Sequence, residues 1–99
     1  MTADKTKDKK TRNRKTHYVY LLLCDNGSYY TGYTNDVTSR FARHKKGQGA
    51  RYTRMHRPIR VVYVEEFGTR KAATGRERQI KALSHEEKHE LVTNGPRKH

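Results

Sequence analysis

The sequence contains one cysteine, Cys24, in 99 residues. An intrachain disulfide is therefore excluded, and no zinc site can be built on cysteine pairs. Tryptophan is absent, and there are only two phenylalanines and two prolines. The longest apolar run covers residues 19–24, far short of the ~20 residues that span a bilayer. Residues 1–16 have no apolar stretch of the kind a secretory leader needs, and with the lone cysteine they point to a cytoplasmic protein. Acidic residues are also scarce: ten, against 23 lysines and arginines, for a formal net charge of +13. A chain of this length supports one domain with one modest core.

Such a cationic excess repels itself in a compact state unless a polyanion offsets it. An anionic membrane surface would call for a basic amphipathic helix with large apolar residues on one face. The basic residues are instead scattered over every segment, so the expected partner is nucleic acid. DNA is the first choice and RNA stays open; neither a membrane nor a small-molecule cofactor is expected. Residues 1–16 carry Lys5, Lys7, Lys9, Lys10, Arg12, Arg14 and Lys15, with no large apolar residue after Met1. They read as a disordered basic arm, serving either solubility or contact with phosphates.

The domain is expected over residues 17–93, followed by a flexible end at 94–99. Residues 18–24 are rich in β-formers and apolar on both faces, as in a central strand. Asn26 and Gly27 are a strong hairpin signal, and residues 29–34 form the returning strand. A helix follows, capped by Asn35 or Asp36 and ended by Gly47, with Val37, Phe41 and His44 as its inward stripe. Residues 47–57 read as a loop, and a third strand runs over residues 59–67 after Pro58. Thr69 caps a second helix reaching Leu83, with Ala72, Ala73, Arg76, Ile80 and Leu83 facing the sheet. Ser84 and Glu87 form a capping box that opens a short third helix. The fold class is thus α+β: a three-stranded antiparallel sheet flanked by helices, in the order β-β-α-β-α-α. The position of the third strand in the sheet is left open.

Polar residues with chemistry cluster on these elements. Tyr18, Tyr20, Tyr29, Tyr30 and Tyr33 lie on the first hairpin. Gly32 within a strand lets something approach the backbone closely. Arg40 and His44 are four residues apart on one side of the first helix, and Glu77 stands among the cations of the second. The ordered set formed by Tyr18, Val19 and Tyr20, then Tyr30, Thr31 and Gly32, then Arg40 and Glu77, resembles the GIY-YIG nuclease family over about residues 17–92. The stretches Gly49 to Arg54, Arg57 with Pro58, Glu65 to Phe67 and Ile80 to Ser84 resemble its small stand-alone bacterial branch, the UPF0213-like proteins. Tyr18 stands where the family name has glycine, and Tyr33 where some members have lysine.

The resemblance implies divalent-metal-dependent cleavage of DNA, with Mg²⁺ or Mn²⁺, directed by DNA structure rather than sequence, in repair or recombination. It places Tyr20 and Tyr30 near the attacking water, Arg40 on the phosphate and Glu77 on the metal. His44 matches a histidine that several members carry. These roles suit the residue types. A guanidinium fork stabilises developing phosphoryl charge, and one carboxylate with several waters is an ordinary way to hold Mg²⁺. A phenol is a poor base at neutral pH unless a cation lowers its pKa, so the general base is Tyr20, Tyr30 or His44. Arg43, Lys45, Lys46, Arg51, Arg54 and Arg57 are the expected nucleic-acid contacts.

Each residue also has a plainer role. The tyrosines suit any half-buried strand, Arg40 suits a surface ion pair, and His44 suits a packed helix face. Glu77 suits an i,i+4 pair with Lys81, worth about 0.2–0.5 kcal/mol. His85 and His89 lack a third ligand and read as a solvated helix face. The alternative function is a non-catalytic nucleic-acid-binding module with the same fold.

Overall fold

The computed structural model describes residues 16–95; the expected basic arm lies outside the described residues, as does most of the polar end. The described elements are β1 (His17–Cys24), β2 (Tyr29–Thr34), α1 (Val37–Lys45), α2 (Arg51–Met55), β3 (Pro58–Phe67), α3 (Arg70–Lys81) and α4 (His85–Asn94). The sheet order is β2-β1-β3, with both pairings antiparallel. The strand with apolar residues on both faces is thus the central one, and β3, unplaced by sequence, lies on its far side.

Alternation along β1 divides the interior into two half-cores. Val19 and Leu21 point to one face, where they join Tyr63, Ala73 and Ile80, with Leu83, Leu91 and Val92 packed alongside. Tyr20 and Leu22 point to the other, with Val64, Tyr30, Val37 and Phe41. Helix α1 therefore covers one face of the sheet while α3 and α4 cover the other. Residues on α1 and α3 can act on a common group only around an edge of the sheet, β2 or β3.

Local signals account for the boundaries. Asp36 caps α1 through Ser39 N (3.1 Å) and Thr69 caps α3 through Ala72 N (3.1 Å). Both halves of the Ser84–Glu87 capping box are formed on α4. Gly27 (φ +84°) and Gly47 (φ +77°) take the left-handed backbone that the hairpin and the end of α1 require. Cys24, the last residue of β1, is fully buried, and burial pushes its thiol up despite a hydrogen bond from Ser28 that acts the other way.

Two expectations are corrected. Residues 47–57 are not wholly a loop, because Arg51–Met55 form the one-turn helix α2. Its N-cap, Ala50, makes no side-chain cap, so the usual start signal is missing; the turn is held by the buried Thr53 instead. In α3, Ala73 and Ile80 are buried as expected, but Ala72 is exposed. Arg76 is half-buried and turns to Glu65 on β3, with Nε–Oε1 and NH2–Oε2 both 3.0 Å. Burial works to raise Glu65, but this fork, together with the Tyr63 hydroxyl, holds its carboxyl below the ordinary value.

Ile80 is fully buried beneath the central strand. Ile80→Ala is expected to cost about 2–5 kcal/mol, measured as a lower urea midpoint with an unchanged transition slope.

Candidate active site

The centre of the candidate site is Tyr20 on β1. Its cross-strand partner is Gly32, and its ring lies across that glycine: a Cβ at Gly32 would overlap the Tyr20 ring and hydroxyl. The missing side chain lets the phenol reach over β2 while remaining only 1% exposed.

The Tyr20 hydroxyl is 2.9 Å from Nε2 of His44, which is itself buried. On the other side of the imidazole, Nδ1 is 2.7 Å from Oγ1 of Thr53. The Thr53 hydroxyl donates to the Ala50 carbonyl at 3.0 Å. Having given its proton to a carbonyl, Thr53 Oγ1 can only accept from the ring, so Nδ1 carries the hydrogen. In neutral His44, Nε2 is then the acceptor and the Tyr20 hydroxyl donates to it. The chain therefore runs in one direction, from Tyr20 through His44 and Thr53 to the Ala50 carbonyl. Gly49 completes the seat, since a Cβ there would overlap the His44 ring.

Electrostatics place the other residues around Tyr20. Burial pushes its phenol well above the ordinary range and the neighbouring Tyr30 adds to this; the Arg40 guanidinium opposes both by charge and hydrogen bonding, and Glu77 adds a smaller upward push. Tyr30 is likewise raised, chiefly by burial; Lys81 and Arg40 lower it and Glu77 raises it. Its ring lies 6.5 Å from that of Tyr20 and 5.1 Å from that of His44. His44 is lowered by burial first, then by Arg40 and Arg43, so it is neutral at pH 7. Arg40 from α1 and Glu77 from α3 thus act on the same two phenols from opposite faces of the sheet, around the β2 edge.

Glu77 also makes the plainer contact, with Oε2 3.2 Å from Nζ of Lys81 one turn later. Among the described residues, no three histidine, cysteine or carboxylate side chains converge as a metal cage. What Glu77 can offer is a single carboxylate, to be completed by water and phosphate oxygens. That donor set fits Mg²⁺, which dehydrates reluctantly and takes one or two carboxylates. The Lys81 ammonium already occupies the carboxylate as a cation.

The expected nucleic-acid contacts Arg43, Lys45, Lys46, Arg51, Arg54 and Arg57 are all exposed, on α1, α2 and the segments that follow them. Arg43 shares an open cleft with Arg40. His85 and His89 are not a bare solvated face: His85 stacks on Tyr29 and bonds the Gly27 carbonyl (2.9 Å), while His89 bonds the Tyr29 hydroxyl (2.7 Å). Together they tie α4 to the hairpin. Thr53, Gly49 and Tyr52 were not singled out individually in the sequence. A threonine nine residues after a histidine carries no periodic signal; the stretch Gly49 to Arg54 stands out only through its family resemblance.

A family model described as the GIY-YIG catalytic domain matches residues 16–90. A UPF0213 protein of Staphylococcus saprophyticus is 44% identical over 79 residues, covering 80% of this chain and 96% of the relative. A UPF0213 protein of Haloquadratum walsbyi is 47% identical over 79 residues, covering 80% and 89%. Two solution structures are also similar. A UPF0213 protein of Bacillus halodurans has 45% identity, covers 79% of this chain and 83% of its own, and gives a TM-score of 0.52. A protein of E. faecalis has 39% identity, covers 83% and 88%, and gives 0.57.

Two outcomes are expected of the Tyr20–His44 seat. Gly32→Ala forces the Tyr20 ring to move and should cost about 1–3 kcal/mol, read as a lower urea midpoint. His44 has a folded pKa below its unfolded value near 6.5, so the unfolded chain binds the extra proton. The stability this contributes is complete above pH 6.5 and is lost as pH falls through the folded value. Urea midpoints of the wild type should therefore fall more steeply below pH 6.5 than those of His44→Gln; parallel curves would refute the assignment.

Proposed function

The chain belongs to the GIY-YIG family, and on that premise we propose that it is a divalent-metal-dependent DNA phosphodiesterase, directed by DNA structure rather than sequence and acting in repair or recombination. The observation that carries this reading is the buried, one-way hydrogen-bonded chain from Tyr20 to Thr53, beside an arginine and a carboxylate that both act on Tyr20. These bonds also satisfy two buried polar groups; the catalytic reading draws on the arginine and the carboxylate brought to bear on the same phenol.

The residues divide the work as follows. The Tyr20 phenol holds its proton at neutral pH, so it is not a base by itself. It can take the proton of an attacking water as its own proton passes to Nε2 of neutral His44. Nδ1 keeps its hydrogen on Thr53 throughout, and the imidazolium so formed later returns its proton to solvent. The hydroxide attacks phosphorus, the bond to the leaving oxygen breaks, and that oxygen takes a proton from solvent. Arg40, a fixed cation beside Tyr20, stabilises the charge gathering on the phosphoryl oxygens. Tyr30 borders the same space and orients the water. Glu77 would hold the divalent ion once Lys81 yields, and such an ion would supply Lewis-acid chemistry to the phosphate. Exposed Arg43, Lys45, Lys46, Arg51, Arg54 and Arg57 suit phosphate contacts, which position a duplex without reading its bases.

The Glu77–Lys81 ion pair favours a second reading, a non-catalytic module that binds nucleic acid through its cationic surface. Incubation with branched, flapped and linear DNA separates the two readings. The nuclease reading expects product with Mg²⁺ or Mn²⁺ and none with chelator. Arg40→Ala should lose about 10²–10³-fold in rate, and Glu77→Gln should lose cleavage while keeping DNA affinity. Salt-sensitive binding with no product from any substrate would instead establish the binding module.

A further inference from the structure

Tyr30 has a second environment. An open-sided pocket of about 410 Å³ wraps the outer edge of β2, lined among others by Tyr29, Tyr30, Thr31, Tyr52, Lys81 and Lys88. Thr31 pairs with Leu21 and Tyr29 with Leu23, whereas Tyr30 pairs with Leu22. The walls therefore come from both faces of the edge strand. The composition is unusual for a surface hollow: three phenol rings, an imidazole, two ammonium groups, one serine and one threonine.

The rings are held in place before anything binds. Tyr52, on α2, is 38% exposed and lies nearly parallel to Tyr30, at 19° with centroids 6.3 Å apart. Its hydroxyl is tied to Ser28 in the hairpin turn at 2.5 Å. Tyr29 is fixed by its stack on His85 and its bond to His89. Thr31 is only 3% exposed, and its hydroxyl has no hydrogen-bond partner. A buried, unsatisfied hydroxyl is costly, and this one belongs to a residue of the pocket wall.

We propose that this pocket receives one unpaired nucleobase, from the nucleotide next to the reacting phosphate. The proposal rests on the nuclease reading in that Arg40 and Tyr20 mark where that phosphate sits. Aromatic faces with flanking cations are the common way to hold single nucleotides, because every base has a π-face and every linkage a charge. The Tyr52 and Tyr30 rings offer the stacking surface. Lys81 and Lys88 lie at the same wall for the neighbouring phosphates. The volume accommodates one nucleoside. Because Tyr30 belongs to both the pocket and the catalytic group, capture of a base there would set the register of the strand over Tyr20.

The test uses the full chain in chelator, so that no cleavage is needed. DNA with an unpaired strand carries 2-aminopurine at each unpaired position in turn; matched strands carry an abasic site instead. The expected result is quenching at one position on binding, with about tenfold weaker affinity when that position is abasic. Tyr52→Leu should lose both the quenching and the preference for the base, and Tyr52→Phe should keep both. Fully paired duplex should bind all three proteins equally. Equal affinity for base-bearing and abasic strands, or quenching that survives Tyr52→Leu, would overturn the pocket. Failure of the nuclease reading would appear separately, as absence of product with metal present.

Discussion

The hydrogen bond from the Tyr20 hydroxyl to Nε2 of His44 is the interaction around which the rest of this small structure is arranged. A phenol and an imidazole, both buried, are tolerable only if each polar atom is satisfied. The solution is a chain with a defined end: Thr53 accepts from the ring and donates to the Ala50 carbonyl. Several otherwise odd features follow from it. Gly32 is bare because the Tyr20 ring lies over it, and Gly49 is bare because the His44 ring lies against it. Helix α2, which has no cap and only one turn, is present because Thr53 must sit at that spot.

The second organising fact is the edge. The sheet has helices on both faces, so chemistry drawn from α1 and from α3 can meet only around a strand with no further neighbour. The outer strand β2 fills that role, and its residues are shared between tasks. Tyr20 reaches over Gly32, Tyr30 faces the catalytic group and the aromatic pocket, and Thr31 lines the pocket from the opposite face. Exposed cations stand on both layers, on α1 and α2 and again on α3; among them Arg43 shares a cleft with Arg40 and the end of β2.

Much of this was legible in the amino-acid order. The central strand declared itself by being apolar on both faces, and Thr69, Ser84 and the pair Asn35 or Asp36 declared the helix starts by their caps. Gly27 and Gly47 marked the places where left-handed backbone was needed. What was hidden was hidden for physical reasons. The place of β3 beside β1 depends on which edge is free, which no local pattern encodes. Helix α2 is held by a tertiary contact instead of by propensity or a cap, so residues 47–57 read as loop. Of the candidate site, Tyr20, Tyr30, Arg40, His44 and Glu77 could be named only through the resemblance to the GIY-YIG family. The directionality of the Tyr20–His44 bond could not, because it depends on Thr53, nine residues beyond His44. His85 and His89 looked like a wet helix face since their partners, Tyr29 and the Gly27 carbonyl, are some sixty residues away.

The position of Cys24 carries one more consequence. It is the chain's only sulfhydryl, closed off at the end of the central strand where β1 runs into the hairpin turn, and its reactive thiolate form is disfavoured there. An alkylating reagent in solution can reach it only when that end of the sheet comes apart. The native molecule thus contains its own label for breathing of the hairpin: the pace of alkylation reports how often β1 and the turn separate, without any engineered probe.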